Sequence, residues 1–170
     1  GYNSFGEEID GFPFQSTDRV RSSPAVGDVD NDGQMEIVFG NSSGKLYIVN
    51  HDGSQQLAYT ILGFIEGTPA LVDIDGDQDL EIVFTTTTTS GGQLYAIHHN
   101  GITMSGFPKE LGSMWTGPAV HDIDNDGTYD IVCTTYDKEI YAVDVSGGAI
   151  DRKSTLLNSS HLVISYAVFC

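Results

Sequence analysis

Three nine-residue windows constrain this chain more than anything else in it. They read Asp28-Val-Asp-Asn-Asp-Gly-Gln-Met-Glu36, Asp73-Ile-Asp-Gly-Asp-Gln-Asp-Leu-Glu81 and Asp122-Ile-Asp-Asn-Asp-Gly-Thr-Tyr-Asp130. Each places acids at positions 1, 3, 5 and 9, and together they hold 13 of the 24 acidic residues. Their surroundings repeat too, so the chain is read first as an internal repeat. Ser23-Pro24-Ala25-Val26, Thr68-Pro69-Ala70-Leu71 and Gly117-Pro118-Ala119-Val120 precede the windows. Apolar triplets follow at Ile37, Ile82 and Ile131, then a turn, then Leu46-Tyr47-Ile48-Val49, Leu94-Tyr95-Ala96-Ile97 and Ile140-Tyr141-Ala142-Val143.

The apolar runs are short, rich in β-branched and aromatic residues, and bounded by Gly, Asn, Asp and Ser, which is the pattern of strands. No stretch carries a helical stripe of useful length. Each unit therefore offers one strand before the acidic window, one after it, one through the Tyr, and a fourth, as at Gln56 to Ile65. Four antiparallel strands per repeat of 40 to 50 residues is the form of a propeller blade. The expected fold is all-β, an incomplete propeller of about three blades. Residues 1–20 read as the end of a preceding blade, 21–66 as repeat 1, 67–115 as repeat 2 and 116–150 as a truncated repeat 3. Gly-Phe-Pro at Gly11 and again at Gly106 supports reading 1–20 in this way. Residues 151–170 share nothing with the repeats and resemble a translated sequencing adapter, with a final strand over Leu162 to Phe169 as the alternative.

A formal charge of −17, from 24 acids against 7 bases, argues against nucleic acid as a partner. No apolar stretch approaches the roughly 20 residues of a membrane-spanning helix. Two cysteines, Cys133 and Cys170, do not make a disulfide scaffold. The sequence opens at Gly1 with no Met and no leader pattern, so it reads as a piece of a longer protein.

The windows point to a metal. Carboxylates this close repel one another unless a cation sits among them, and an all-oxygen set favours calcium over zinc or copper. The ligands expected are Asp28, Asp30, Asp32, the carbonyl of Gln34 and Glu36 in the first loop. The second set is Asp73, Asp75, Asp77, the carbonyl of Asp79 and Glu81; the third is Asp122, Asp124, Asp126, the carbonyl of Thr128 and Asp130. In the second set the Asp79 side chain is expected to face water. Gly33 and Gly127 at position 6 allow the turn around the ion, whereas Gln78 stands there in the second loop. An EF-hand does not fit, because position 12 is Phe39, Phe84 or Cys133 rather than Glu.

On these motifs the stretch from about Val20 to Val145 resembles the FG-GAP or VCBS type of repeat found in integrin α-chain propellers and many secreted bacterial proteins. The resemblance implies structural calcium in the loop joining the first two strands of each blade, with protein or carbohydrate ligands met on other loops. It implies a secreted or cell-surface protein with a non-catalytic role in binding, adhesion or scaffolding. The alternatives are an accessory propeller of a secreted hydrolase, a propeller enzyme of the lyase or quinoprotein kind, and a plain repeat spacer. Gln78 and the presence of only three loops depart from the family pattern.

Other signals are weaker. His98 and His99 are neighbours, so in a strand they would point to opposite faces and not share a metal. Asn41-Ser42-Ser43 has the glycosylation acceptor pattern. Trp115 reads more readily as a blade-packing aromatic than as a ligand platform.

Overall fold

In the computed structural model, residues 1–2 and 4–145 are described in full and 152–155 as backbone. The first sheet comprises β1 (Ala25–Gly27), β2 (Glu36–Gly40), β3 (Lys45–Val49) and β4 (Gln55–Thr60). The second comprises β5 (Ala70–Val72), β6 (Glu81–Thr85), β7 (Gly92–Ile97) and β8 (Lys109–Leu111). The third comprises β9 (Ala119–His121), β10 (Asp130–Thr134), β11 (Glu139–Asp144) and β12 (Arg152–Thr155). All pairings are antiparallel between chain neighbours, giving three four-stranded meanders. The described residues contain no helix. The first strands lie side by side, β5 beside both β1 and β9, so the sheets stack as propeller-like blades about a common inner edge.

The fourth strand of the first blade is shorter than the expected run to Ile65, because the chain leaves β4 after Thr60. Ile61 and Ile65 are then spent on the core rather than on strand pairing. β12 falls within the stretch 151–170, pairing Arg152 to Thr155 with β11; the remainder of that stretch, including 162–169, lies outside the described residues.

A sheet with one apolar face needs one neighbour, but the second sheet has two. Ile82 and Phe84 of β6, with Tyr95 and Ile97 of β7, pack with Val38, Leu46 and Ile48 of the first blade. The alternate residues, Val83, Leu94 and Ala96, pack with Ile131, Cys133, Tyr141 and Val143 of the third. Burial on both faces is why Ile82-Val83-Phe84 is continuously apolar, since successive side chains feed different cores. The Cys133 thiol is part of this packing, and burial pushes it up to about 11, leaving it an inert small hydrophobe.

Between blades the contact is polar as well. The hydroxyls of Thr85 and Thr87 donate to the carbonyls of Thr116 (2.7 Å) and Met114 (2.5 Å). Phe64 and Thr87 exchange a pair of backbone hydrogen bonds at 2.8 and 3.0 Å. Thr85 and Thr87 thus form a buried seam whose hydroxyls satisfy the backbone of the next connection. On the outward face of the first sheet, Phe14 meets Phe39 and Tyr47 edge-on at 5.9 and 5.4 Å, so the opening segment covers part of that face.

The two interblade connections touch at a pair of glycines. A Cβ on Gly67 would stand 2.4 Å from the amide nitrogen of Gly117 and 2.4 Å from the carbonyl carbon of Thr116. Both obstacles are backbone, so one connection must move. Gly67→Ala is expected to cost about 1–3 kcal/mol, as overpacking typically does. The measurement is the denaturant midpoint, and an unchanged midpoint would refute this tight seam.

Candidate metal centres

The three acidic windows form loops between the first two strands of each blade, all at the same end of the sheets. Each loop reverses direction using two left-handed residues. These are Asn31 (φ 56°) and Gly33 (φ 89°), Gly76 (φ 81°) and Gln78 (φ 83°), and Asn125 (φ 59°) and Gly127 (φ 93°). Positions 4 and 6 therefore both need positive φ. Asn tolerates that region better than most side chains and Gly best of all. The second loop has exchanged the order, with Gly at position 4 and the strained residue, Gln78, at position 6.

Carboxylates organise each loop from within. Asp28 accepts from the amides of Asp32 (3.0 Å) and Gly33 (2.9 Å), and Asp32 from that of Gln34 (2.8 Å). In the third loop Asp122 accepts from Asp126 (3.2 Å) and Gly127 (3.0 Å), and Asp126 from Thr128 (2.8 Å). These last contacts, from the Thr128 hydroxyl and amide, hold the Asp126 carboxyl below its ordinary range. The second loop is wound differently: Asp73 accepts from Gly76 (2.7 Å), Asp75 from Asp77 (3.3 Å) and Asp77 from Asp79 (3.1 Å).

The acid at position 9 has a role that spacing alone did not reveal. Glu36, Glu81 and Asp130 open β2, β6 and β10 and are buried. Each accepts the backbone N–H of position 2 across its loop: Val29 to Glu36 at 3.0 Å, Ile74 to Glu81 at 2.7 Å, and Ile123 to Asp130 at 3.1 Å. Burial raises the Glu36 and Glu81 carboxyls above the usual range, against the lowering effect of these N–H bonds. The position of Glu36 beside Asp30, Asp32 and Asp28 raises it further. The signal was present in the sequence as an acid at the start of an apolar strand, a place where an unpaired carboxylate is costly.

Oxygens converge in every loop. Those of Asp28, Asp30 and Asp32 lie within 4.8 Å of one another, as do those of Asp122, Asp124 and Asp130, and of Asp73, Asp75 and Asp77. Glu36 and Asp126 do not join these sets at that distance. Gln34 and Thr128 engage the loops through their amides. One oxygen of Asp30 is held by the Gln56 side chain at 2.9 Å, and the other is buried without a hydrogen-bond partner.

Three expectations are corrected, those on Asp79, on the facing of His98 and His99, and on Trp115 as a packed aromatic. The Asp79 side chain turns inward, grouping with Asp77 and Glu81 within 4.8 Å and meeting His99 Nε2 at 3.1 Å. Burial and the neighbouring Asp77 raise its carboxyl. His98 and His99 both reach the second loop, because β7 ends at Ile97 and the alternation of a strand no longer applies to them. Asn41 is fully buried and hydrogen-bonded to Ser16 (3.1 Å) and Ser43 (3.0 Å), so no glycan can be joined to it in the folded protein. Trp115 is half exposed, while Met114 beside it takes the core position.

The model of the FG-GAP-like repeat matches this chain twice, over residues 28–84 and 73–133. The chain belongs to the FG-GAP-like repeat family. Each match begins at the first aspartate of an acidic loop and ends in the strand after the next one, so the loops punctuate the FG-GAP-like units. No curated protein matches the sequence. Among solved structures, the chain is similar to BBS1N, crystallised with ARL6DN and soaked with lead. Identity there is 13% over 82% of this chain and 55% of that one, with a TM-score of 0.51, a likeness of fold. The V. cholerae biofilm matrix protein Bap1 aligns at 19% identity over 79% of this chain and 28% of that one, TM-score 0.41. The chain thus spans less than two thirds of either protein.

The bond at the base of the loop is testable without metal. In calcium-free buffer Glu36→Ala strands the buried Val29 N–H and is expected to cost about 1–3 kcal/mol. Glu36→Gln keeps an acceptor oxygen and removes a repelling charge, so it should cost less. Equal chemical stability of the two variants would contradict this account.

Proposed function

We propose that this FG-GAP-like repeat module binds calcium in its acidic loops and serves outside the cell as a non-catalytic binding or scaffolding element. The observation that carries the reading is the convergence of three carboxylates within 4.8 Å in every loop, each loop closed by a buried acid. Calcium takes about 6 to 8 oxygens at roughly 2.3–2.6 Å, so ligands on opposite sides of one ion stand about 5 Å apart. The first and third loops match that spread with oxygen ligands alone. The role is structural, since the loops lie between β1 and β2, β5 and β6, and β9 and β10, and hold these strand pairs together. An extracellular setting fits such sites, because calcium there is plentiful enough to fill weak ones. A protein or carbohydrate would then be met elsewhere on the blades.

Calcium is expected to raise the thermal midpoint of the chain and EDTA to lower it. Binding to the native state alone stabilises by about 2.7 kcal/mol per site at a hundredfold excess over Kd. Superimposable melts in the two buffers would end the calcium reading. Within it, the second loop is the weakest, because Gln78 has a Cβ in the left-handed region, a strain of roughly 1–2 kcal/mol. Gln78→Gly should tighten calcium there by about tenfold. Calorimetric titration of both proteins decides, and an unchanged or weaker site in the variant would count against the strain argument.

A further inference from the structure

The second loop differs from the other two in a way that calcium does not explain. The residue after the four-residue Tyr run is Asn50 in the first blade, His98 in the second and Asp144, the last residue of β11, in the third. Only in the second does this place carry an imidazole. His98 Nδ1 lies 3.0 Å from Glu81 Oε1, and Asp75, Glu81 and His98 each bring a ligand atom within 4.8 Å of the others. Glu81 is fully buried and its second oxygen is fixed by the Ile74 N–H. Beside this cluster His99 holds Asp79, while Asp79 Oδ1 and His99 Nδ1 are both buried with no hydrogen-bond partner.

We propose that the second loop, the weakest of the three for calcium, prefers in its place a first-row transition ion such as zinc, with Asp75, Glu81 and His98 as its ligands. Calcium is a hard ion that takes oxygen, whereas imidazole suits zinc, nickel and copper. Two ligands on a tetrahedral zinc, at about 2.0–2.1 Å from the metal, stand about 3.3 Å apart. The His98 to Glu81 contact needs to open by only a few tenths of an ångström to meet that geometry. Glu81 is pinned through its other oxygen, so the ligand is oriented before the ion arrives, as outer hydrogen bonds do in metal sites. His99 acts as a positioning residue, keeping the Asp79 carboxylate beside the site.

The test is calorimetric titration of the full untagged chain with zinc chloride alone, then with calcium. One zinc site is expected in the wild type. His98→Asn, which installs the first blade's residue, should weaken it at least tenfold while leaving calcium binding at the first and third loops unchanged. Cobalt substitution gives a second readout, with visible absorption that is lost in His98→Asn. His51→Ala and His121→Ala should leave both signals intact. Equal zinc affinity in wild type and His98→Asn, or no zinc binding, overturns the proposal. Thermal melts of each variant in EDTA keep a folding defect apart from lost ligation. Failure of calcium to bind the first and third loops would sink the calcium reading and leave this one standing.

Discussion

The Val29 peptide group is where loop, sheet and neighbouring blade meet. Its N–H is accepted by the buried Glu36 carboxylate at the start of β2. Its carbonyl accepts the N–H of Leu80, which lies in the second acidic loop, at 3.1 Å. A carboxylate in the first blade is thus joined through one peptide to the loop of the second. A buried carboxylate is a heavy cost to a fold unless charge or hydrogen bonds compensate it. Here the N–H does part of that work, and the raised Glu36 carboxyl shows that it does not do all of it. Glu36 and the Val29 peptide thus tie the base of the first blade's strand to the loop of the second.

Stacking explains why the loops must be held so firmly. Each sheet is only four strands wide, and the second buries both faces against its neighbours. Neither core can form unless the blades keep their spacing at the inner edge, where β1, β5 and β9 lie together. At that edge the first strands are three residues long and supply little pairing of their own. The loops that follow them take over the work of fixing each first strand to its second. Gly67 and Gly117 let the connections touch at the other end, so the stack is clamped above and below.

Much of this was legible in the sequence because the period is so regular. The second and third strands were visible as β-branched runs, and the need for left-handed backbone at position 6 could be read from Gly33, Gly127 and the odd Gln78. The first strands are short, yet the repeated Pro-Ala before them marked their place. The limit came where a side chain's direction depends on where a strand ends. Alternation placed His98 and His99 on opposite faces, but the rule expires at Ile97, and both rings turn to the loop. Asp79 looked like a solvent-facing acid for the same reason, since nothing nearby in sequence announces its histidine partner. The hydrogen bond from position 9 back to position 2 was also hidden, because it spans the loop rather than following the strand register.

The differences among the loops fall on one side of a line. The base is uniform: in all three, the position 9 acid is buried and bonded to position 2. Variation lies at the rim, in the order of left-handed residues at positions 4 and 6 and in the residue after the Tyr run. Positions 4 and 6 are exposed and the residue after the Tyr run is half-buried, so changes there leave the strands beneath in place. Where the first and third blades have Asn50 and Asp144 the second has His98, yet the sheet register around Ile82 and Ile97 matches that around Ile37 and Val49. Rim composition and blade geometry are therefore separable in this fold. In the second blade base and rim meet, because Glu81, which fixes the strand through the Ile74 N–H, also contacts His98 at 3.0 Å.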